Sequence, residues 1–229
     1  MNARERIYLV LSSTLVTCLV VADIIGCKLF KVGSAFGTDF YQTCGMISFP
    51  VTFIVTDIVN EYYGGKATRR LTYVGLAMAA LAFGIIYAAR TIPAASISPI
   101  STDEFDKIFG MSNRLYIASL SAYMVGQLID IAIFRALKRW TGGKAVWLRA
   151  TGSTIVSQAL DSFVVTTILF YGADMGGGKT GDWTTVAQIG IPGYVFKFTL
   201  AVGLTPLIYL GHGFIQRQFG MTPLPPDSE

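Results

Sequence analysis

Residues 115–137 read LYIASLSAYMVGQLIDIAIFRAL, and the fold class turns on this stretch. A helix needs about 20 mostly apolar residues to cross a bilayer, and this run is long enough. Yet it carries Gln127 and Asp130 near its middle. Tyr123, Gln127, Asp130 and Phe134 fall at i, i+4, i+7 and i+11, so one helical face collects the polar groups. An ionisable side chain at the bilayer centre costs roughly 2.5–3.5 kcal/mol on insertion scales, so this face must turn toward other protein. The stretch therefore predicts one helix of a polytopic membrane bundle.

Outward from it, five more stretches have the length and apolarity of spans: Ile7–Cys27, Ile47–Tyr63, Leu71–Ala89, Ser153–Tyr171 and Val186–Leu210. Over all 229 residues, 52% are hydrophobic and 14% charged, with mean hydropathy +0.54. An ordinary soluble domain carries about 25% charged residues, so a soluble chain is excluded. The expectation is an all-α protein of six transmembrane helices, with residues 1–221 as one domain and 222–229 as a short, proline-rich, disordered tail. Between the first two spans, 30–33 and 36–40 have the pattern of a short hairpin outside the membrane. Pro50, at the start of the second span, and Pro192-Gly193, in the sixth, are read as interruptions that free backbone groups to line a site, or equally as plain kinks.

The net charge of +4 does not indicate nucleic acid, because the basic residues gather at the ends of apolar runs. With both ends on one side, eleven of them share that side: Arg4, Arg6, Lys66, Arg69, Arg70, Arg135, Lys138, Arg139, Lys144, Arg149 and Arg217. Six lie opposite, namely Lys28, Lys31, Arg90, Lys107, Arg114 and Lys179. The positive-inside rule then places both termini of a multi-pass protein in the cytoplasm.

Two motifs are decoys. Ile24-Ile25-Gly26-Cys27 resembles a lipoprotein cleavage box, but Asp23 spoils the apolar region before it and five spans follow, so an uncleaved first helix is expected. Gly176-Gly177-Gly178-Lys179-Thr180 resembles a phosphate loop, yet Ala173 stands where its first glycine should be and no strand precedes it. It reads as a flexible loop. Cys18, Cys27 and Cys44 form no Cys-x-x-Cys pair and have no His nearby, so they read as inert, mostly buried thiols. No metal site and no cofactor are expected.

The polar groups inside the spans carry the functional signal. Thr154, Gln158, Asp161 and Val165 repeat the spacing of the Tyr123 series, so both helices present Gln-x-x-Asp. The second span aligns Phe49, Phe53, Asp57 and Asn60 or Glu61, and the sixth presents Tyr194, Lys197 and Ala201. Any one Gln-x-x-Asp is equally well a buried clamp between helices, whereas three acidic helices with Lys197 favour a shared interior. A carboxylate accepts two parallel hydrogen bonds from an amidine-like N–H pair, and a carboxamide both donates and accepts. Aromatic rings on the same faces can stack on a heterocycle. The candidate binding set is Phe49, Phe53, Asp57, Tyr123, Gln127, Asp130, Gln158, Asp161 and Lys197, and the ligand it suits is a small planar purine-like base or an amine. Asp23 and Glu61, near span ends, read as solvated, and His212 as incidental. Lys28, Arg69 and Arg70 read as topology signals, Tyr8, Trp140 and Trp147 as interface anchors. Gly75, Ala79, Ala80 and Gly84 indicate close helix packing.

Ser48-Phe49-Pro50, Thr56-Asp57 with Glu61 and Gly64, Arg69, Tyr123-x3-Gln127-x2-Asp130, Trp147-Leu148-Arg149, Ser153-Thr154-x6-Asp161-Ser162 and Phe196-Lys197 together resemble the queuosine-precursor, or vitamin uptake, transporter family. The resemblance spans nearly the whole chain. It implies a six-helix inner-membrane carrier, not an enzyme, that imports 7-deazaguanine precursors of a tRNA nucleoside (preQ0, preQ1 or queuine). Carried over by position, it implies roles for Asp57, Gln127, Asp130, Asp161 and Lys197. The family pattern implies Asn before the lysine in the first span, where Asp23 precedes Lys28 here. A homodimer is compatible with so small a carrier. Two alternatives stay open: the substrate-binding subunit of an energy-coupling-factor transporter, and an intramembrane aspartyl enzyme, whose Gly-x-Gly-Asp and Tyr-Asp signatures are missing.

Overall fold

A computed structural model describes residues 2–35, 38–110, 113–144, 146–173 and 180–225. The expected flexible loop at 176–179 and the last four residues, 226–229, lie outside the described residues. Helix α1 (Ala3–Ile25) leads into a hairpin of β1 (Leu29–Ala35) and β2 (Thr38–Thr43), then a 3-10 turn, Cys44–Ile47. Helices α2 (Phe49–Arg90), α3 (Thr102–Phe109), α4 (Asn113–Trp140), α5 (Val146–Phe170) and α6 (Trp183–Phe219) follow. The hairpin is antiparallel, with Leu29 opposite Thr43 and Ala35 opposite Thr38, and a bulge between Lys31 and Gly33.

Five of these helices are long and apolar enough to cross a membrane, and one of them, α2, has the length for two crossings. Straight, its 42 residues would reach about 63 Å, twice the hydrocarbon thickness. They are not straight. Gly64 sits at φ 83° and ψ 167°, a conformation essentially restricted to glycine, and there the helix folds back. Contacts with α1 show the reversal. Entering, α2 runs antiparallel to α1: Gly45 lies against Ala22, Val55 and Val59 pack with Leu15, and Tyr63 donates its hydroxyl to the Arg4 carbonyl at 2.7 Å. Returning, it runs parallel: the Tyr8 hydroxyl meets the Ala67 carbonyl at 3.3 Å, Leu71 joins the Leu15 cluster, and Gly75 faces Leu19. The six predicted crossings are thus present, with the second and third joined by a glycine turn. This places 4, 61–64, 138, 212 and 224 at one end of the bundle, termed the inner end because both termini reach it.

The helix breaks where glycine requires it rather than at the prolines. Pro50 occupies the first turn of α2, where its missing N–H has no helical partner to lose. Helix α6 continues through Pro192 and Pro206. The entering arm, 49–63, is the centre of the molecule: every residue from Val55 to Tyr62 is buried, enclosed by α1, the returning arm, α4 and α6. Thr52, Thr56, Thr68 and Thr72 satisfy their hydroxyls on the carbonyls three or four residues earlier.

At the outer end, α3 and α6 start with reciprocal caps. Ser101 exchanges bonds with Glu104, and Asp182 with Thr185. The bonds from the Ser101 backbone and hydroxyl hold the Glu104 carboxyl below its ordinary range, as those from Thr185 do for Asp182. Cys18 and Cys44 are half-buried, and Cys27 is exposed.

Candidate functional site

Helices α4 and α5 form the most extensive pair in the bundle, and they approach closely because Gly126 offers no side chain. A Cβ there would stand 3.4 Å from the Cβ of Asp161. Asp161 therefore lies over Gly126 and extends to α6, where its carboxylate meets the Lys197 ammonium at 2.5 Å. Both side chains keep partial access, 20% and 17% of their surface. Asp130, one turn deeper on α4, is buried and accepts the Ser157 hydroxyl at 3.0 Å as well as that of Ser153. The two Gln-x-x-Asp motifs thus differ in use: Asp130 is clamped to α5 by serines, whereas Asp161 holds a cation.

The aromatic pair comes from the entering arm of α2. Phe49 and Phe53 stack with ring centroids 5.9 Å apart and planes 7° from parallel. Phe53 packs with Ala201, Leu204 and Ile208 of α6, and Ala201 is one turn beyond Lys197. The contacts Phe53–Ala201, Lys197–Asp161, Asp161–Gly126 and Asp130–Ser157 therefore join Phe49, Phe53, Asp130, Asp161 and Lys197 into one layer at mid-depth. Gln127 and Gln158 are half-buried on the same helices. Asp57 is buried one turn deeper than Phe53. Tyr123 faces elsewhere, its hydroxyl directed at Gly75 of the returning arm of α2. Tyr194 stacks on Phe198 within α6, centroids 6.2 Å apart.

A second polar group sits at the inner end and corrects three expectations. Glu61, expected to be solvated, is 1% exposed. Its carboxylate pairs with Lys138 at 3.3 Å, and the same ammonium donates to the Glu61 carbonyl at 3.3 Å. Lys138, counted as a topology charge, is buried, because its ammonium is held by the carboxylate and carbonyl of Glu61 at the end of the entering arm of α2. His212, expected to be incidental, is buried with Nδ1 3.2 Å from the Tyr62 hydroxyl. A cavity of about 380 Å³ adjoins this group, lined by Glu61, Lys138, Tyr209, His212 and Leu224 among others. It does not coincide with the mid-depth layer, where Asp161 and Lys197 close on each other. The signal for Glu61 was its place one turn after Asp57 on the polar face, three residues before a glycine.

Residues 43–211 match the sequence profile of a family described as "Putative vitamin uptake transporter". A Bacillus subtilis (strain 168) protein named "Probable queuosine precursor transporter" is 30% identical over 171 residues, covering 73% of this chain and 70% of its own. A Haemophilus influenzae protein of the same name is 31% identical over 185 residues, covering 76% and 70%. The Escherichia coli (strain K12) "Queuosine precursor transporter" is 25% identical over 177 residues, covering 71% and 69%. No solved structure matches the chain at a significant level.

Proposed function

The chain belongs to the vitamin uptake transporter family, and from that premise we propose that it imports queuosine precursors, 7-deazaguanine bases, across the bacterial inner membrane. The observation that carries this reading is the match to three curated queuosine precursor transporters over about 70% of both partners. The mid-depth layer supplies chemistry that fits. The hydrogen-bonding edge of a guanine-like base offers two adjacent donors, N1–H and the 2-amino group, beside one acceptor, the 6-oxo group. The Asp161–Lys197 pair offers the complement: a carboxylate for the donors and an ammonium for the oxygen. Asp130, already taken by two serines, acts as the brace that fixes α4 against α5 rather than as the recognising group.

Intercalation of a base between Phe49 and Phe53 would need about 7 Å, two contact distances of roughly 3.5 Å, and the rings are 5.9 Å apart. The base therefore stacks on one outer face of the pair. Gln127 and Gln158, on the flanking turns, contribute amide contacts to the ring nitrogens. The reaction is carriage without covalent change, so no residue is assigned a catalytic role.

The test is the queuosine content of tRNA in a bacterial host that neither makes nor imports the precursor, supplied with nanomolar base. The expected result is restoration by the wild-type chain and loss in Asp161→Asn at equal protein level. Failure of the correctly inserted wild-type chain with preQ0, preQ1 and queuine alike would overturn the substrate assignment.

A further inference from the structure

The inner-end cavity repeats the pairing found at mid-depth. Glu61 and Lys138 hold a carboxylate and an ammonium 3.3 Å apart just behind its wall, with 1% and 8% of their side-chain surface exposed, a closed version of the Asp161–Lys197 pair in the layer above. The two pairs are separated along α4 by the twelve residues from Gly126 to Lys138, about 18 Å of helix. They are therefore distinct places. The volume of about 380 Å³ falls within the usual range for small-molecule pockets, and charged and polar residues (Glu61, Lys138, Tyr209, His212 and Gln216) make up half of its lining. Tyr209, whose hydroxyl oxygen accepts the Trp147 backbone N–H at 3.3 Å, adds a fixed ring to that wall.

The cavity also has a cover. After α6 the chain doubles back along residues 221–224, and Leu224 donates its backbone N–H to the Glu61 carbonyl at 3.0 Å. Pro223 and Leu224 line the cavity, so the cover is fastened to the backbone of the residue that holds Lys138.

We propose that this cavity is a second binding site for a guanine-like planar base, lying on the inner side of the mid-depth layer. On binding, the Glu61–Lys138 pair parts toward the cavity: Glu61 receives the base's two N–H donors, Lys138 its carbonyl oxygen, and residues 221–224 close the site toward the cytoplasm. The inference rests on the reading above that the chain carries such bases. The base leaves the Asp161–Lys197 pair for a site of the same chemistry, and parting of the Leu224–Glu61 bond opens that site to the cytoplasm.

Gly213 supplies the probe. It lines the cavity, and a Cβ added there meets no atom within 4 Å, so Gly213→Cys fits the fold. It is placed in a chain with Cys18, Cys27 and Cys44 replaced by Ala, in inside-out vesicles, and treated with a membrane-impermeant thiol reagent. With preQ1 at ten times its half-saturating concentration, labelling slows about tenfold. The slowing survives Asp161→Asn and disappears in Glu61→Gln. Leu224→Pro, which removes the N–H bonded to Glu61 together with the leucine side chain of the cover, speeds labelling in the absence of base. Gln216→Cys, on the same wall, is an independent reporter. Labelling unaffected by base, or slowing abolished by Asp161→Asn and kept in Glu61→Gln, overturns the inner site. If the unmodified chain nevertheless restores tRNA queuosine, the transport reading stands without it. If the unmodified chain restores none, both fall together.

Discussion

Asp130 and Asp161 end the same four-residue pattern, and their neighbours assign them opposite parts. Asp130 accepts from Ser157 and Ser153 inside the α4–α5 seam, so Ser157→Ala should lower the melting temperature by removing a hydrogen bond worth about 1 kcal/mol or somewhat more to a charged acceptor. Asp161 and Lys197 keep partial access, so breaking their pair costs less than the 3–5 kcal/mol of a fully buried one, about 1–2 kcal/mol. Lys197→Ala should therefore melt earlier than wild type. The double variant Lys197→Ala/Asp161→Asn, which removes the stranded charge, should regain part of that stability without regaining transport. A thermal melt of detergent-solubilised protein, set beside tRNA queuosine, separates the two readouts. Asp130, Asp161 and Lys197 were legible in the sequence because a charge at mid-span has no inexpensive explanation. Glu61, Lys138 and His212 were not, because at a span end a hydropathy pattern reads the same whether the residue meets water or protein. Tyr123 shows the opposite limit: helical spacing put it on the face of Gln127, and the return of α2 drew its hydroxyl to Gly75.

Among the elements, two glycines determine where helices run. Gly64 holds φ 83° and ψ 167°, where any side chain costs of order 1–3 kcal/mol, and it is buried as well. Gly64→Ala should reduce the amount of folded protein in the membrane, as read by extractable, monodisperse material, more than Gly84→Ala, where an added Cβ meets nothing within 4 Å. Gly126 is limited by space rather than by its backbone. A Cβ at 3.4 Å from Asp161 is ordinary contact, so Gly126→Ala should fold and Gly126→Leu should push α5 away and abolish uptake. The sequence marked six crossings correctly because each is an apolar run of sufficient length. It assigned the interruptions to Pro50 and Pro192 because proline is the stronger local breaker. Position decides otherwise: Pro50 lies in a first turn, and α6 absorbs Pro192, while the break falls at a glycine between two charged segments. The β1–β2 hairpin was readable from its alternation, but not its bulge after Lys31, which depends on pairing across the strands.

For the whole molecule, the contact order of the six crossings brings both termini to one end. Cysteines at Glu5 and Phe219 should react with an impermeant reagent in inside-out vesicles, and one at Ser98 only in right-side-out cells. Reaction of Glu5→Cys and Phe219→Cys on opposite faces would contradict the fold. The entering arm of α2 has a further consequence, for how the protein enters a membrane at all. It carries Asp57, Asn60 and Glu61 with burial on every side, so alone it would face lipid with two acids, of which Asp57, the one nearer the helix centre, costs up to roughly 2.5–3.5 kcal/mol. The returning arm, 65–90, from Leu71 to Ala89 has no acidic residue at all. The Gly64 turn couples the two, so the two arms should insert together as a hairpin, with the apolar second arm offsetting the cost of the polar first. An insertion pause after residue 63 would leave an arm without a stable place in the bilayer, and synthesis through Arg90 completes a passenger that can stay.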